Sequence, residues 1–254
     1  MLKAYVIGTC DTKYAELQFV VDRLQAAGVP TQLVDVGSFP HSHPVDISNQ
    51  DVAGFHPHNR SFLKQPTDRG ATILAMAEAL TQFLLQQSDL GGVIGLGGGG
   101  GTSLISHAMR ALPIGLPKVM VSTLASGNVA PFVGASDIFM LYSVTDVAGI
   151  NAISNQILSN AAHALAGMLQ QSAPSFSVSK PALGMSMFGV TTPCVTQLRE
   201  ALQDEYECLV FHATGTGGRS MEKLIDSGYL RHVIDITTTE ICDLRRHSGC
   251  PPSA

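Results

Sequence analysis

Short apolar, β-branched runs alternate along this chain with longer stretches whose apolar residues recur at helical spacing. The short runs predict strands at Ala4–Gly8, Thr31–Val36, Gly92–Gly95, Lys118–Ser122 and Ile138–Leu141. The longer stretches predict helices over Tyr14–Ala27, Asp68–Gln87, Thr102–Leu112 and Ile150–Gln170. Thr67 and Asp68, just after Pro66, supply capping side chains for the second of these helices. Strand–helix alternation of this kind is the signature of a parallel sheet with crossover helices.

Periodicity is lost over Gln171–Lys180, which is rich in Ser and contains Pro174, and this segment reads as a linker. The alternation then restarts as strand Ala182–Val190, helix Val195–Asp204, strand Cys208–Ala213, helix Ser220–Ser227 and strand His232–Ile236. That βαβαβ unit is about half of a doubly wound domain. The expected organisation is therefore a nucleotide-binding α/β domain at 1–170, a linker at 171–180 and a partial second α/β domain at 181–254. The fold class is α/β, with a doubly wound, Rossmann-like parallel sheet first and an incomplete second domain after it.

The run from Gly95 to Thr102 follows a strand and opens a helix. Glycine amides approach an anion closely, and a helix N-terminus adds partial positive charge. The dinucleotide pattern is met by Gly95, Gly97 and Gly100, but no Asp or Glu occurs from Leu90 to Ser136 to hold a ribose. The P-loop pattern fails as well, because Gly101 stands where its lysine belongs. What remains is a phosphate-cradling turn at Gly97, Gly98, Gly99, Gly100, Gly101 and Thr102, or a packed glycine turn without a ligand.

Parallel strands bring the other βα loops to the same sheet edge. Thr9, Asp11, Thr12 and Lys13 follow the first strand. Lys13 is positioned to supply the missing cation, with the threonine hydroxyls for phosphates and Asp11 for a metal or a hydroxyl; Asp11 and Thr12 equally suit helix capping. Asp35 and Gly37 follow the second strand, where a carboxylate commonly meets a ribose, and Ser122 and Thr123 end the fourth. Ordinary turn chemistry accounts for each of these alone.

Composition narrows the field. The formal net charge of -5, with no basic run, leaves no electrostatic footprint for nucleic acid. No apolar segment reaches membrane-spanning length, and the N-terminus reads as a strand without a signal peptide, so no membrane partner is expected. The five scattered cysteines form no CxxC pair, which points to a reducing cytoplasm. His41, His43, His56 and His58 sit in a long polar loop, Ser38–Gln65. Paired histidines beside prolines are either solvated or metal-binding, and we expect no protein-held metal there; so long a loop suits a lid or a mobile segment. In the second domain, Phe211–Ser220 repeats the strand–glycine-loop–helix arrangement. His212, Glu222, Asp235 and Glu240 are its candidate acid–base groups, with strand-end turns and caps as the alternative. Neither HExxH nor a G-x-S-x-G elbow is present.

Five segments in order carry a family resemblance: Gly8–Lys13, the glycine run through Thr102, Ser143–Asn151, Phe211–Gly218 and Asp235–Glu240. They resemble the uncharacterised bacterial, fungal and plant family that includes the N-terminal domain of the tomato mosaic virus resistance protein. The resemblance implies an ATP-binding protein of two α/β domains that forms a homodimer and whose bacterial members lack an established reaction. Cys10 stands where the family pattern suggests alanine. Members continue past the Thr-Thr-Thr-Glu motif, whereas this chain changes character near Cys242, as a truncated or frame-shifted product would. Antiviral activity belongs to one plant protein's relation to a viral partner and is not implied.

The residues thus lead to a phosphate-holding, nucleotide-binding protein; the resemblance implies ATP, and magnesium on the phosphates is left open. Two alternatives stay open: an enzyme acting on a small phosphorylated or carboxylated metabolite at an interdomain cleft, or a nucleotide-dependent regulatory scaffold.

Overall fold

The computed structural model describes residues 1–58, 62–64, 68–171 and 180–238, in two compact units, Met1–Ala173 and Pro174–Ala254. The first unit runs β1 (Lys3–Gly8), α1 (Cys10–Ala26), β2 (Thr31–Asp35), α2 (Asn49–Ala53), a 3-10 turn (Phe62–Lys64), α3 (Arg69–Leu85), β3 (Leu90–Gly97), α4 (Gly99–Ala111), β4 (Lys118–Ser122), α5 (Ala130–Val133), β5 (Phe139–Tyr142) and α6 (Ala152–Gln170). Its five strands are all parallel in the order β2-β1-β3-β4-β5. This is the doubly wound order whose direction reverses between β1 and β3.

The period of two along each strand sorts residues between two cores. Ala4 and Val6 of β1, Ile94 and Leu96 of β3 and Val119 and Val121 of β4 pack with α1 and α6. Tyr5, Ile7, Val93 and Met120 point the other way, onto α3 and α4. Both faces are covered, which is why β3 and β4 are almost wholly apolar. The charged exception is Lys118, whose side chain is fully buried. Its ammonium is matched by Asp137 Oδ1 at 2.8 Å and donates to the Pro113 and Leu116 carbonyls at 2.7 and 2.8 Å. With a counter-charge and two acceptors, the burial cost of that charge is offset.

The expected strands and helices of this unit are all present, with shifted boundaries: α1 begins at Cys10, not at Tyr14. β3 continues to Gly97, and α4 begins at Gly99, not at Thr102. Most of the glycine run is therefore the first turn of a helix. Glycine has low helix propensity, but Leu104, Ile105, Ala108 and Met109 bury the following turns and hold the whole segment helical. Part of the long loop after β2 takes up regular structure. Ser48 and Asp51 form a capping box that starts α2. Ile47 pairs with the edge of β2, where its carbonyl accepts from the Asp35 amide. Asp68 caps α3 by accepting from the Ala71 amide at 2.9 Å; Thr67 lies outside the described residues.

The second unit carries β6 (Ala182–Met187), a 3-10 turn (Gly189–Thr191), α7 (Thr192–Leu202), β7 (Glu207–His212), α8 (Gly217–Asp226) and β8 (His232–Ile234). Its strands are parallel in the order β7-β6-β8 around a core of Leu183, Met185 and Val195. The fold class expected from the sequence holds: an α/β first unit with a five-stranded parallel sheet flanked by helices, and a smaller parallel-sheet unit after it. Among the described residues, no helix is long and apolar enough to cross a membrane.

Candidate functional site

At the C-terminal edge of the first sheet, where its order reverses between β1 and β3, lies a cavity of about 570 Å³. That volume is within the range of small-molecule sites. The starts of three helices line it: Thr9–Lys13 of α1, Asp68 and Arg69 of α3, and Gly98–Gly101 of α4. Phe39, Leu63, Ile73, Met76 and Leu104 add apolar surface to the same cavity.

The start of α4 is built to leave its amides free. Gly98 offers the helix no capping side chain, and the amides of Gly99, Gly100 and Gly101 have no acceptor among the described residues. The glycines themselves divide into two kinds. A Cβ on Gly97 would sit 2.6 Å from the Thr102 nitrogen, so only glycine lets the helix start directly on the strand end. A Cβ on Gly98 or Gly99 would meet nothing closer than 3.8 Å, and on Gly101 nothing closer than 3.6 Å. Gly98 has φ -76°, which suits any residue. Neither crowding nor backbone conformation requires glycine at Gly98 and Gly99, yet both border the cavity. The space a side chain would fill there is kept open toward the unpaired amides.

The first turn of α1 differs: its Cys10 amide is taken by Asp35 and its Thr12 amide by the Thr9 carbonyl. Thr9 makes no cap bond, and its hydroxyl pairs with that of Thr12 at 2.8 Å. Asp11 Oδ2 accepts from the Phe39 amide at 3.0 Å, while its buried Oδ1 has no partner. Gly37 makes room for this carboxylate, since a Cβ there would lie 2.9 Å from it. Lys13 departs from helical geometry at φ -132°, and its ammonium donates to the Val147 carbonyl. The cation expected for phosphates is thus drawn to the loop between β5 and α6. Glu16, almost fully buried, holds the same loop by accepting from the Gly149 amide. Within that loop Val144 has φ 64°, a costly conformation for a β-branched residue, and Asp146 is carried to the cavity wall.

Several expected residues lie behind the wall. Thr102 and Ser122 are fully buried, and their hydroxyls bond each other at 2.7 Å. Ser122 Oγ also accepts from the Leu124 amide, and Thr123 donates its amide to the Gly97 carbonyl. These residues fix the shape of the α4 start. Asp35, 1% exposed, accepts the amides of Cys10 at 2.9 Å and Gly37 at 2.8 Å through Oδ1. Its Oδ2 meets His41 Nε2 at 2.9 Å. The carboxylate is occupied in tying the β1 and β2 loops together. It also borders a second hollow of about 410 Å³ that shares Ser38, Phe39 and Leu63 with the first.

The histidine loop resolves into separate roles. His43 stacks on Tyr14 with centroids 4.3 Å apart and donates its amide to His41 Nδ1. His56 lies 3.3 Å from Glu78. No group of three His, Cys, Asp or Glu among the described residues is placed to hold a metal ion. Burial first, and the Asp35 carboxylate next, push the Cys10 thiol well above its ordinary range, so it stays protonated at neutral pH. Iodoacetamide on the folded protein, followed by mass mapping, should modify the exposed Cys194 and spare Cys10.

In the second unit, His212 ends β7 and Asp235 follows β8, with β6 between them, about 10 Å apart by strand spacing. Asp235 accepts from Ser186 Oγ, which itself accepts the Ile236 and Thr237 amides at 3.0 and 2.9 Å. Thr237 and Thr191 join hydroxyls at 2.7 Å. Gly217 opens α8 where a Cβ would overlap the His212 carbonyl, and Glu222 is exposed farther along that helix. Glu240 lies outside the described residues.

Arg69 and Phe39 border the first cavity without having stood out in the sequence, where Asp68 reads only as a helix cap and Asp146 only as part of a resemblance segment. Arg69 is visible in sequence only as the first residue after a cap. Phe39 is the one large apolar side chain between Gly37 and Pro44, and that was its available signal.

Comparison with known proteins matches the chain on both sides of the linker. Residues 2–174 match the Uncharacterised protein family (UPF0261) N-terminal domain, and residues 180–251 its C-terminal domain. A UPF0261 protein of Mesorhizobium japonicum is 56% identical over 244 residues, which are 96% of this chain and 61% of the relative. A UPF0261 protein of Clostridium tetani is 47% identical over 95% of this chain and 61% of its own length. The ToMV resistance protein Tm-1 of Solanum lycopersicum is 42% identical over 266 residues, covering 95% of this chain and 35% of the plant protein. This chain therefore spans less than two thirds of the relatives it matches. It belongs to the uncharacterised protein family UPF0261.

Proposed function

We propose that the first unit binds a nucleotide, ATP by the family resemblance, with its phosphates on the start of α4. The observation that carries this is the set of unpaired amides at Gly99–Gly101, opening into a cavity at the switch point of the sheet. Amides at a helix start, with the helix dipole behind them, are suited to phosphate oxygens.

Charge around the cavity favours the magnesium complex over the free nucleotide. Three carboxylates (Asp11, Asp68, Asp146) face two cations (Lys13, Arg69) along the lining. A bare triphosphate would be repelled by the carboxylates. A divalent ion, which Asp11 would hold, would offset that repulsion. The unpartnered Oδ1 of Asp11 fits this role. The same proposal takes the protein as a cytoplasmic homodimer, the first from its scattered cysteines and the second from the resemblance.

Isothermal titration of the whole chain with ATP, ADP and NAD tests the proposal. Binding of ATP that weakens when EDTA removes the divalent ion is the expected result. No heat with any nucleotide contradicts the proposal, and preference for NAD redirects it to dinucleotides.

A further inference from the structure

Phe39 is 67% exposed, an unusual state for an aromatic ring on a folded surface, and it borders both hollows of the first unit. Its backbone is not loose, because its amide is held by Asp11 Oδ2 at 3.0 Å. The backbone that carries the ring is therefore tied to the start of α1, at the border of both hollows. Leu63, Ile73, Met76 and Leu104 supply the apolar surface that shares the cavity with it. Charged and hydrogen-bonding groups line the cavity at the helix starts, and Phe39 adds an exposed aromatic ring to the same lining. The cavity thus offers a ligand an anion end at the helix starts and an exposed aromatic face beside it.

We infer that Phe39 is the stacking platform for the flat ring of the ligand, which is a nucleobase if the nucleotide reading above is right. A ring laid on Phe39 covers an exposed apolar face on the protein and its own face at once. Every base has such a face, so a stacking contact selects a base-bearing ligand over a bare polyphosphate without choosing strongly among bases. Phe39 is in this sense a specificity-determining residue. The anion end supplies affinity for phosphates, and Phe39 makes the site prefer phosphates that carry an aromatic group.

The test compares ATP with inorganic tripolyphosphate, both with magnesium, on the wild-type chain and on Phe39→Ala and Phe39→Tyr. Loss of one base–aromatic stack corresponds to roughly ten- to hundredfold weaker binding. Phe39→Ala should weaken ATP by about that factor and leave tripolyphosphate unchanged, and Phe39→Tyr should restore ATP. Because the ring is exposed, an unchanged thermal transition in Phe39→Ala is expected. ATP affinity unaltered by Phe39→Ala, or an equal loss for tripolyphosphate, overturns the stacking role while leaving nucleotide binding standing. Absence of ATP binding in the wild-type chain overturns both.

Discussion

Gly99→Ala should make the protein more stable and bind nucleotide less well. Alanine in place of a helical glycine gains about 0.5–1 kcal/mol. Here the new methyl meets no protein atom closer than 3.8 Å, so no clash subtracts from that gain. In a unit of this size the gain corresponds to a rise of roughly 1–4 °C in the melting temperature. The methyl occupies the space in front of the free amides, however. Displacing a phosphate oxygen from even one of them forfeits a charge-assisted hydrogen bond of about 1.5–3 kcal/mol. ATP affinity should therefore fall by roughly tenfold to a hundredfold. Gly97→Ala, two positions earlier, should behave in the opposite way with respect to stability. Its Cβ would lie 2.6 Å from backbone nitrogen, and overpacking of this kind costs about 1–3 kcal/mol or more. Calorimetric melting and ATP titration of the two variants separate a glycine kept for the fold from one kept for a ligand.

Asp35→Ala should be among the most damaging substitutions on this sheet edge. The carboxylate is buried and takes three donors, the Cys10 and Gly37 amides and the His41 ring. Removing it strands two buried amides and leaves His41 without its partner, a loss of about 3 kcal/mol or more. The melting temperature should fall by roughly 10 °C. Asp35→Asn should cost less, because its carbonyl oxygen still accepts the two amides. His41 Nδ1 already accepts from His43, so Nε2 carries the proton and cannot receive a second donor from an asparagine NH₂. If Asp35 instead served chiefly a ribose, both variants would keep wild-type melting temperatures and lose only affinity.

How far the sequence could lead is visible in these same residues. Strand and helix order was legible because both faces of the first sheet are buried, so apolar runs and helical spacing repeat without interruption. The extent of α4 was not legible. Its first turn is glycine, and only the buried residues that follow make it helical. Lys118 reads as a surface residue until Asp137 and two carbonyls are seen around it. Asp35 was recognised as a carboxylate at a strand end, but its three donors come from residues brought together only by the fold. Thr102 and Ser122 were found for their hydroxyls, which turn out to face each other across buried backbone. Conversely, Arg69 and Phe39 reach the cavity from a helix start and a loop whose placement no local pattern encodes.

The central claim is that phosphates rest on the amides at the start of α4. The most direct measurement is the change in backbone amide resonances of ¹⁵N-labelled protein on adding magnesium and ATP. The largest shifts should fall at Gly98–Gly101, with a second group at Thr9–Lys13, and tripolyphosphate should reproduce the first group. Shifts that leave Gly98–Gly101 unmoved while ATP binds would contradict the account.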